Sequence, residues 1–321
     1  MLHMITSFSK KTEYIIVLFM MLMMSSCVSH SESKNKSSDF VSSRLYDSGD
    51  YIDGGNLLST SSNTSEYMHL IQPVALAGWL DYIYIADMGH HAILRYNTNT
   101  KDIVVFYNVD IGVKTRIHAT TSGQLYVTDP VNSRVLYLDN TGRLIREMSD
   151  SNLIAPSALV EDERNSRILI VDSIKKYLLE FNHLGRLFNV SNLDFDDDLG
   201  SNIISFDVSK NRLYFLDQIS RKVVVTDRYF RYICSFGGDT LKLPVLLQSG
   251  VDENIFIADS FDNSIILFKV NKNITGLCEF AVVDVLNTDM LKVNDMLLHD
   301  FWLYVADSAA ARIRIIGFNP D

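Results

Sequence analysis

The chain has 321 residues and carries 39 Asp and Glu against 29 Lys and Arg, a formal net charge of −10. An acidic surface repels phosphate backbones, so the composition predicts no nucleic-acid partner. Three cysteines are too few for a disulfide scaffold, whereas a hydrophobic content of 47% suffices for a large core.

The N-terminal residues have the pattern of a targeting segment. Lys10 and Lys11 precede an unbroken apolar stretch over residues 14–24. At about 1.5 Å per residue this stretch is too short to cross about 30 Å of hydrocarbon, but it suits the core of a signal peptide. We therefore predict a signal peptide over residues 1–26.

The end of that segment resembles a bacterial lipobox. Small residues, Ser25 and Ser26, stand directly before Cys27, although Met24 occupies a position where leucine is usual. The resemblance implies a lipoprotein that is cut before Cys27, with acyl chains such as palmitate attached there. Val28 is not an inner-membrane retention signal in this family, which implies an outer-membrane lipoprotein that faces the periplasm or the surface. The alternative is an ordinary signal peptide with an incidental cysteine.

The next residues are polar and rich in serine. Over residues 27–45 there is little to bury, and this composition predicts a flexible tether. The globular domain is then expected over residues 46–321.

An apolar strand pattern that ends in aspartate occurs six times in this domain. The six aspartates are spaced 42 to 48 residues apart, and a fixed period of this size predicts a repeat architecture. They are Asp87, Asp129, Asp172, Asp217, Asp259 and Asp307.

One repeat shows the expected unit. Residues 125–129 are apolar on both faces, which predicts a strand covered on both sides. A four-residue loop leads to a second pattern over 134–138, and the turn at 140–142 leads to a third over 143–147. A short strand is predicted before them, over 116–120, so each repeat has four strands.

This strand-end pattern, with a loop and a second strand behind it, resembles the NHL-repeat six-bladed β-propellers and, less closely, the YWTD propellers. The resemblance implies an all-β domain of six four-stranded antiparallel blades. A solenoid is the alternative, although it would need capping ends. The last repeat lacks its outermost strand, so we expect an N-terminal strand within residues 44–71 to close the ring.

The aspartates themselves are predicted to be structural, because a residue repeated in every blade serves the blade. An aspartate that ends a strand accepts N–H groups of the following turn. Function is expected where the repeats differ, in the loops after each aspartate. The predicted ligand-binding residues there are His90, His91, Lys175, Lys176, Arg221 and Asp262, and the alternative is that they are solvated turn residues.

No metal site, cofactor or catalytic residue is predicted, because the histidines lack zinc-binding spacing. Resemblance to propeller enzymes leaves two alternatives open. Amidating lyases would imply a channel zinc near His118. Gluconolactonase-like propellers would imply a channel calcium held by residues such as Asn202, Asp207, Asn294 and Asp295.

The sequence contains two further features, an acidic run and a pair of cysteines. The acidic run over residues 194–198 is predicted to be a solvated loop, because its spacing is not that of a calcium loop. Cys234 and Cys278 are expected to be free thiols in diverging outer strands, too far apart for a bridge.

These observations predict a lipid-anchored binding or scaffolding module of the cell envelope. Its expected partners are the membrane, through Cys27, and another envelope protein or a glycan. We expect binding rather than catalysis, and the alternative is a metal-dependent propeller lyase or lactonase. Oxygen ligands or histidines that meet in the channel would favour the enzyme, and a channel of apolar or small residues would favour the binding module.

The anchoring prediction is tested by the substitution Cys27→Ala. Without an acylated Cys27, we expect the protein to leave the membrane fraction, because a lipid anchor is the attachment that the sequence predicts. The measurement is fractionation of cells after a high-salt wash. Retention of the variant in the washed membranes would contradict the lipoprotein assignment.

Overall fold

A computed structural model of the chain describes residues 44–57, 66–193, 195, 202–209, 211–270 and 279–320. The predicted signal peptide, Cys27 and most of the tether lie outside these residues, as do Cys278 and all but residue 195 of the acidic run. In the described ranges the regular structure is β, with one-turn 3-10 helices at Met88–His90, Glu163–Asn165 and Val251–Glu253. Those ranges contain no helix with the length and hydrophobicity needed to cross a bilayer.

The innermost strands of six sheets stand side by side in a closed ring, each in contact with the next. One such strand occurs in each of the six predicted repeats. They are β4 (Pro73–Trp79), β8 (Ile117–Ala119), β12 (Pro156–Asp162), β16 (Ile203–Ser209), β20 (Pro244–Ser249) and β24 (Val293–His299).

From each inner strand an antiparallel meander runs outward. The second strands, which end in the repeated aspartate, are β5 (Tyr82–Asp87), β9 (Leu125–Asp129), β13 (Arg167–Asp172), β17 (Arg212–Asp217), β21 (Asn254–Asp259) and β25 (Trp302–Asp307). The third strands are β6 (Ala92–Asn97), β10 (Arg134–Leu138), β14 (Tyr177–Asn182), β18 (Lys222–Asp227), β22 (Ser264–Val270) and β26 (Arg312–Asn319). The outer strands of blades one to five are β7 (Asp102–Asn108), β11 (Leu144–Met148), β15 (Leu187–Asn192), β19 (Tyr232–Phe236) and β23 (Phe280–Asn287). The predicted six-bladed propeller of antiparallel four-stranded blades is confirmed.

The N-terminal strand closes the ring, as predicted. Strand β1 (Arg44–Ile52) pairs antiparallel with β26 and supplies the fourth strand of blade six. Leu45 and Ile52 on this strand are buried. The strand begins at Arg44, within the last two residues of the segment predicted as tether. Pairing of the first strand with the last protects the edge of β26 and joins the two ends of the domain.

Blade one is larger than predicted. A short hairpin, β2 (Gly54–Leu57) and β3 (Glu66–His69), extends its sheet to six strands, and β2 lies parallel beside β7. Four-residue strands without apolar alternation give little sequence signal. The hairpin depends on glycine, because a Cβ at Gly54 would lie 2.1 Å from the Met68 carbonyl oxygen.

The two ends of the propeller carry different connections. We call one end the loop face: it holds the loops from second to third strands and the connections between blades. The opposite end, the turn face, holds the remaining turns. Because antiparallel strands alternate in direction, β1 starts at the turn face, where Arg44 pairs with Asn319.

One expectation about cysteine is wrong. Cys234, on outer strand β19, is disulfide-bonded. The expectation rested on the divergence of outer strands, and that argument does not exclude a bond at Cys234. The other two cysteines, Cys27 and Cys278, lie outside the described residues.

Candidate functional site

The six strand-end aspartates are buried, with at most 2% of each residue exposed. As predicted, their carboxylates hold the following turns. In blade three, Asp172 Oδ1 accepts hydrogen bonds from the backbone N–H groups of Ile174 at 3.0 Å and Lys175 at 2.8 Å. Blade four has the same contact, from the Ile219 N–H to Asp217 at 3.0 Å.

The carboxylates also bind a second segment, which the sequence analysis did not foresee. Asp172 Oδ2 accepts from the N–H groups of Ile154 and Ala155, both at 2.6 Å, in the connection that enters blade three. The Asp172 carboxylate therefore ties a loop to an inter-blade connection. The same two-sided bonding occurs at Asp87, with Ile71 and Gln72, at Asp259, with Lys242 and Leu243, and at Asp307, with Leu291 and Lys292.

In blade two, side chains supply most of the hydrogen-bond donors to the buried carboxylate. Asp129 accepts from the Asn132 backbone N–H at 3.2 Å and from the Asn132 side-chain amide at 2.8 Å. Arg134 Nε donates to the same carboxylate at 2.9 Å. The carboxylate is again saturated with donors, so its burial is compensated.

This bonding presents large apolar side chains to solvent on the loop face. The residue two positions after the aspartate is apolar and 66% to 75% exposed in blades two to five. Four more exposed apolar residues stand in the connections between blades. We call these eight residues the apolar loop ring: Val131, Ile174, Ile219 and Phe261 in the loops, with Ile71, Val113, Leu243 and Leu291 in the connections.

The predicted ligand-binding residues lie on this same face but do not converge. They are spread over blades one, three, four and five, and most contact their own neighbours. His90 Nδ1 lies 3.4 Å from Asp87, and His91 Nδ1 lies 3.3 Å from Asp110. Lys175 Nζ donates to a backbone carbonyl at 2.8 Å, and Asp262 accepts from Lys242 Nζ at 2.7 Å. Their role as ligands stays a prediction.

Three of these residues also have a backbone role. His91, Lys176 and Arg221 each end a four-residue loop in the left-handed region, with φ between 51° and 57°. Blades two, five and six have the same conformation at the equivalent position. Because all six blades have a left-handed residue at this position, the conformation belongs to the turn itself. The interpretation of His91, Lys176 and Arg221 as turn residues therefore explains their backbone conformation.

The inner strands enclose a channel cavity of about 180 Å³, lined by residues of all six blades. Most lining residues are apolar or small. The exceptions include four ionisable side chains: Arg116, His118, Asp207 and Asp295.

Both channel carboxylates bind the inner strand of the next blade. Asp207 Oδ2 accepts from the Ser249 N–H at 2.7 Å, and Asp295 Oδ2 accepts from the Leu76 N–H at 2.8 Å. They thereby satisfy N–H groups at the inner sheet edges. Burial raises the pKa of Asp207 to about 6 and also raises the pKa of Asp295.

His118 lines the same channel. Burial lowers the pKa of His118 to about 4, so its imidazole is neutral at pH 7. His118 and Asp207 stand at the same register, each opposite the tyrosine of its second strand.

The residues named for a channel metal are only partly brought together by the described structure. Asn202 and Asn294 lie outside its lining and bond to Gln218 and Ser308 respectively. Among the described residues, no group of three or more His, Cys, Asp or Glu side chains could hold a metal ion. The zinc and calcium alternatives for the channel stay predictions.

Comparison with known proteins supports the fold. No family profile and no curated protein matches the sequence. The chain is similar in structure to a streptogramin B lyase, with a TM-score of 0.61 and 12% identity over 87% of this chain and 99% of that one. It is also similar to a catalytically inactive histidine-to-alanine variant of virginiamycin B lyase from Staphylococcus aureus with quinupristin, with a TM-score of 0.57 and 16% identity over 87% of this chain and 88% of that one. At these identities the likeness shows the six-bladed propeller fold.

The two-sided bonding of the aspartates leads to a stability prediction. Asp172→Ala removes the acceptor of four N–H groups, one buried and three part-buried, so we expect a loss of about 3 kcal/mol in the free energy of unfolding. Asp110→Ala is the control, because the Asp110 side chain is 86% exposed on the same face. Urea denaturation measures both. Equal stability of the two variants would show that the buried carboxylate is dispensable.

The channel groups predict opposite responses to acid. The pKa of His118 falls from 6.5 to about 4 on folding, so its contribution to stability is lost as the pH drops below 6.5. The pKa of Asp207 rises from 3.8 to about 6, so its contribution grows as the pH drops through 6. Between pH 7 and pH 5, His118→Gln should therefore gain about 1–2 kcal/mol relative to the parent, and Asp207→Asn should lose a similar amount. Denaturation at both pH values measures this, and shifts of the same sign would refute it.

Proposed function

We propose that this protein is a lipid-anchored binding or scaffolding module of the outer membrane, and that its loop face binds another envelope protein. The apolar loop ring carries the proposal. Eight large apolar side chains are exposed around one end of the propeller, and they occur in or beside every blade.

Exposed apolar residues that cluster on one face are typical of protein interaction sites. Here the residues are also held in position before binding. The N–H groups of Ile174, Ile219 and Phe261 are each bonded to a buried aspartate at 3.0 Å. A surface ordered in advance loses less conformational entropy when a partner docks.

Charged residues on the loop face support a protein partner. Lys175 and Lys176 follow Ile174, and Arg221 follows Ile219, so basic groups border the ring at blades three and four. Such a border orients an incoming partner and favours one with an acidic rim.

The anchor part of the proposal rests on the apolar stretch at residues 14–24 and on Cys27. Strand β1 begins at the turn face, the end opposite the apolar loop ring.

A channel enzyme is the second candidate. The shared fold with two lyases and the neutral imidazole of His118 favour it. Incubation of the protein with quinupristin, followed by mass spectrometry, tests a lyase activity. Turnover that disappears in His118→Ala would support the enzyme, whereas an unchanged substrate would count against this activity.

The binding proposal is tested by replacing three ring residues together, with Ile174→Ser, Ile219→Ser and Phe261→Ser. The matched control carries Leu184→Ser, Tyr229→Ser and Val251→Ser, which are exposed apolar residues of the turn face. Cross-linking in the protein's own membranes and mass spectrometry identify the captured partners. We expect the ring variant to lose at least about 10-fold in capture, because central apolar contacts dominate interfaces.

Both triple variants should keep their unfolding temperatures close to that of the parent, because exposed positions contribute little to stability. Normal capture by the ring variant, or an equal loss by the control, would contradict the proposed interface.

A further inference from the structure

A second cavity lies on the outer wall, where blade six meets blade one. It has a volume of about 480 Å³ and is distinct from the channel and from the apolar loop ring. Its walls come from β1 and β26 of blade six, and from the hairpin β2–β3 and β6 of blade one. Three tyrosines line it, and we call it the tyrosine pocket: Tyr51, Tyr67 and Tyr96, with Asp50, Asp53 and Lys101.

Two glycines allow the tyrosine rings to lie directly against the backbone. A Cβ at Gly54 would lie 2.8 Å from Cε1 of Tyr67, and one at Gly55 would lie 3.3 Å from Cδ2 of Tyr96. Larger residues would push the rings away and fill the pocket. The hairpin that the sequence analysis missed therefore has a specific consequence, because it adds an aromatic wall to the propeller.

Polar groups are fixed at the same place. The Tyr67 hydroxyl donates to Asp53 Oδ1 at 2.7 Å, and this bond raises the pKa of Tyr67 to about 12. The phenol keeps its proton at physiological pH and has Asp53 as a hydrogen-bond partner. Tyr51 and Tyr67 remain about half exposed, so their rings are accessible to a ligand.

We infer that the tyrosine pocket binds a neutral saccharide. Aromatic faces pack against the C–H faces of a sugar ring, while carboxylates accept from its hydroxyls and an ammonium donates to them. The pocket offers all of these within a volume typical of small-ligand sites.

A cationic ligand fits less well, although tyrosines can also form cation-binding cages. The Arg312 guanidinium already lies 5.7 Å from the Tyr51 ring centre, and Lys101 Nζ lies 6.0 Å from that of Tyr96. These two positive charges beside the rings would repel a cationic ligand, whereas a neutral sugar carries no charge for them to repel.

The test is saturation-transfer difference NMR on the intact protein, with maltose and N,N′-diacetylchitobiose at millimolar concentration as probes and betaine as the cationic comparison. We expect saturation transfer to at least one disaccharide and at least a 5-fold loss of it in the double variant Tyr51→Ala, Tyr67→Ala. Tyr229→Ala, which removes an exposed tyrosine of the turn face, should retain the signal.

Transfer to neither disaccharide would overturn the inference, and so would transfer to betaine alone or a signal that survives in the double variant. The apolar ring variant should bind the disaccharide normally. Failure of the saccharide site is therefore distinguishable from failure of the proposed protein interface.

Discussion

The fold of this propeller depends on one buried carboxylate in each blade. An ionised carboxylate inside an apolar core is costly unless hydrogen bonds replace its hydration. Asp172 meets that condition with four backbone N–H groups, two from the loop behind it and two from the connection before its blade. Because charge-assisted bonds of this kind are strong, two segments from different strands become one rigid end of the sheet.

The sequence predicted half of this arrangement. The turn contacts follow from an aspartate at a strand end, since the donors lie two or three residues ahead. The donors in the connections lie 15 to 18 residues earlier in the chain, so only the antiparallel pairing brings them close. The hairpin β2–β3 was missed for a related reason: its strands are too short to show a period, and glycines give no hydrophobic signal.

The apolar loop ring could have been found from the sequence. A large apolar residue stands two positions after the aspartate in four consecutive repeats, as at Ile174 and Phe261. In the same loops, Lys176 and Arg221 were predicted as ligand-binding residues because they are polar. In the structure these two share the left-handed conformation that the turn requires at its last position. A repeated apolar residue in a position that should be solvated was the more informative signal.

The channel and the loop face therefore differ in how far the fold itself uses their side chains. In the channel, Asp207 and Asp295 each accept a backbone N–H from the next inner strand, and so their first role is to hold neighbouring blades together. His118 is neutral and stands among mostly apolar walls. On the loop face, the buried aspartates leave exposed apolar side chains that the fold does not need for its own core. Surface that is rigid, apolar and unused by folding is what a binding partner can cover with the greatest gain from burial.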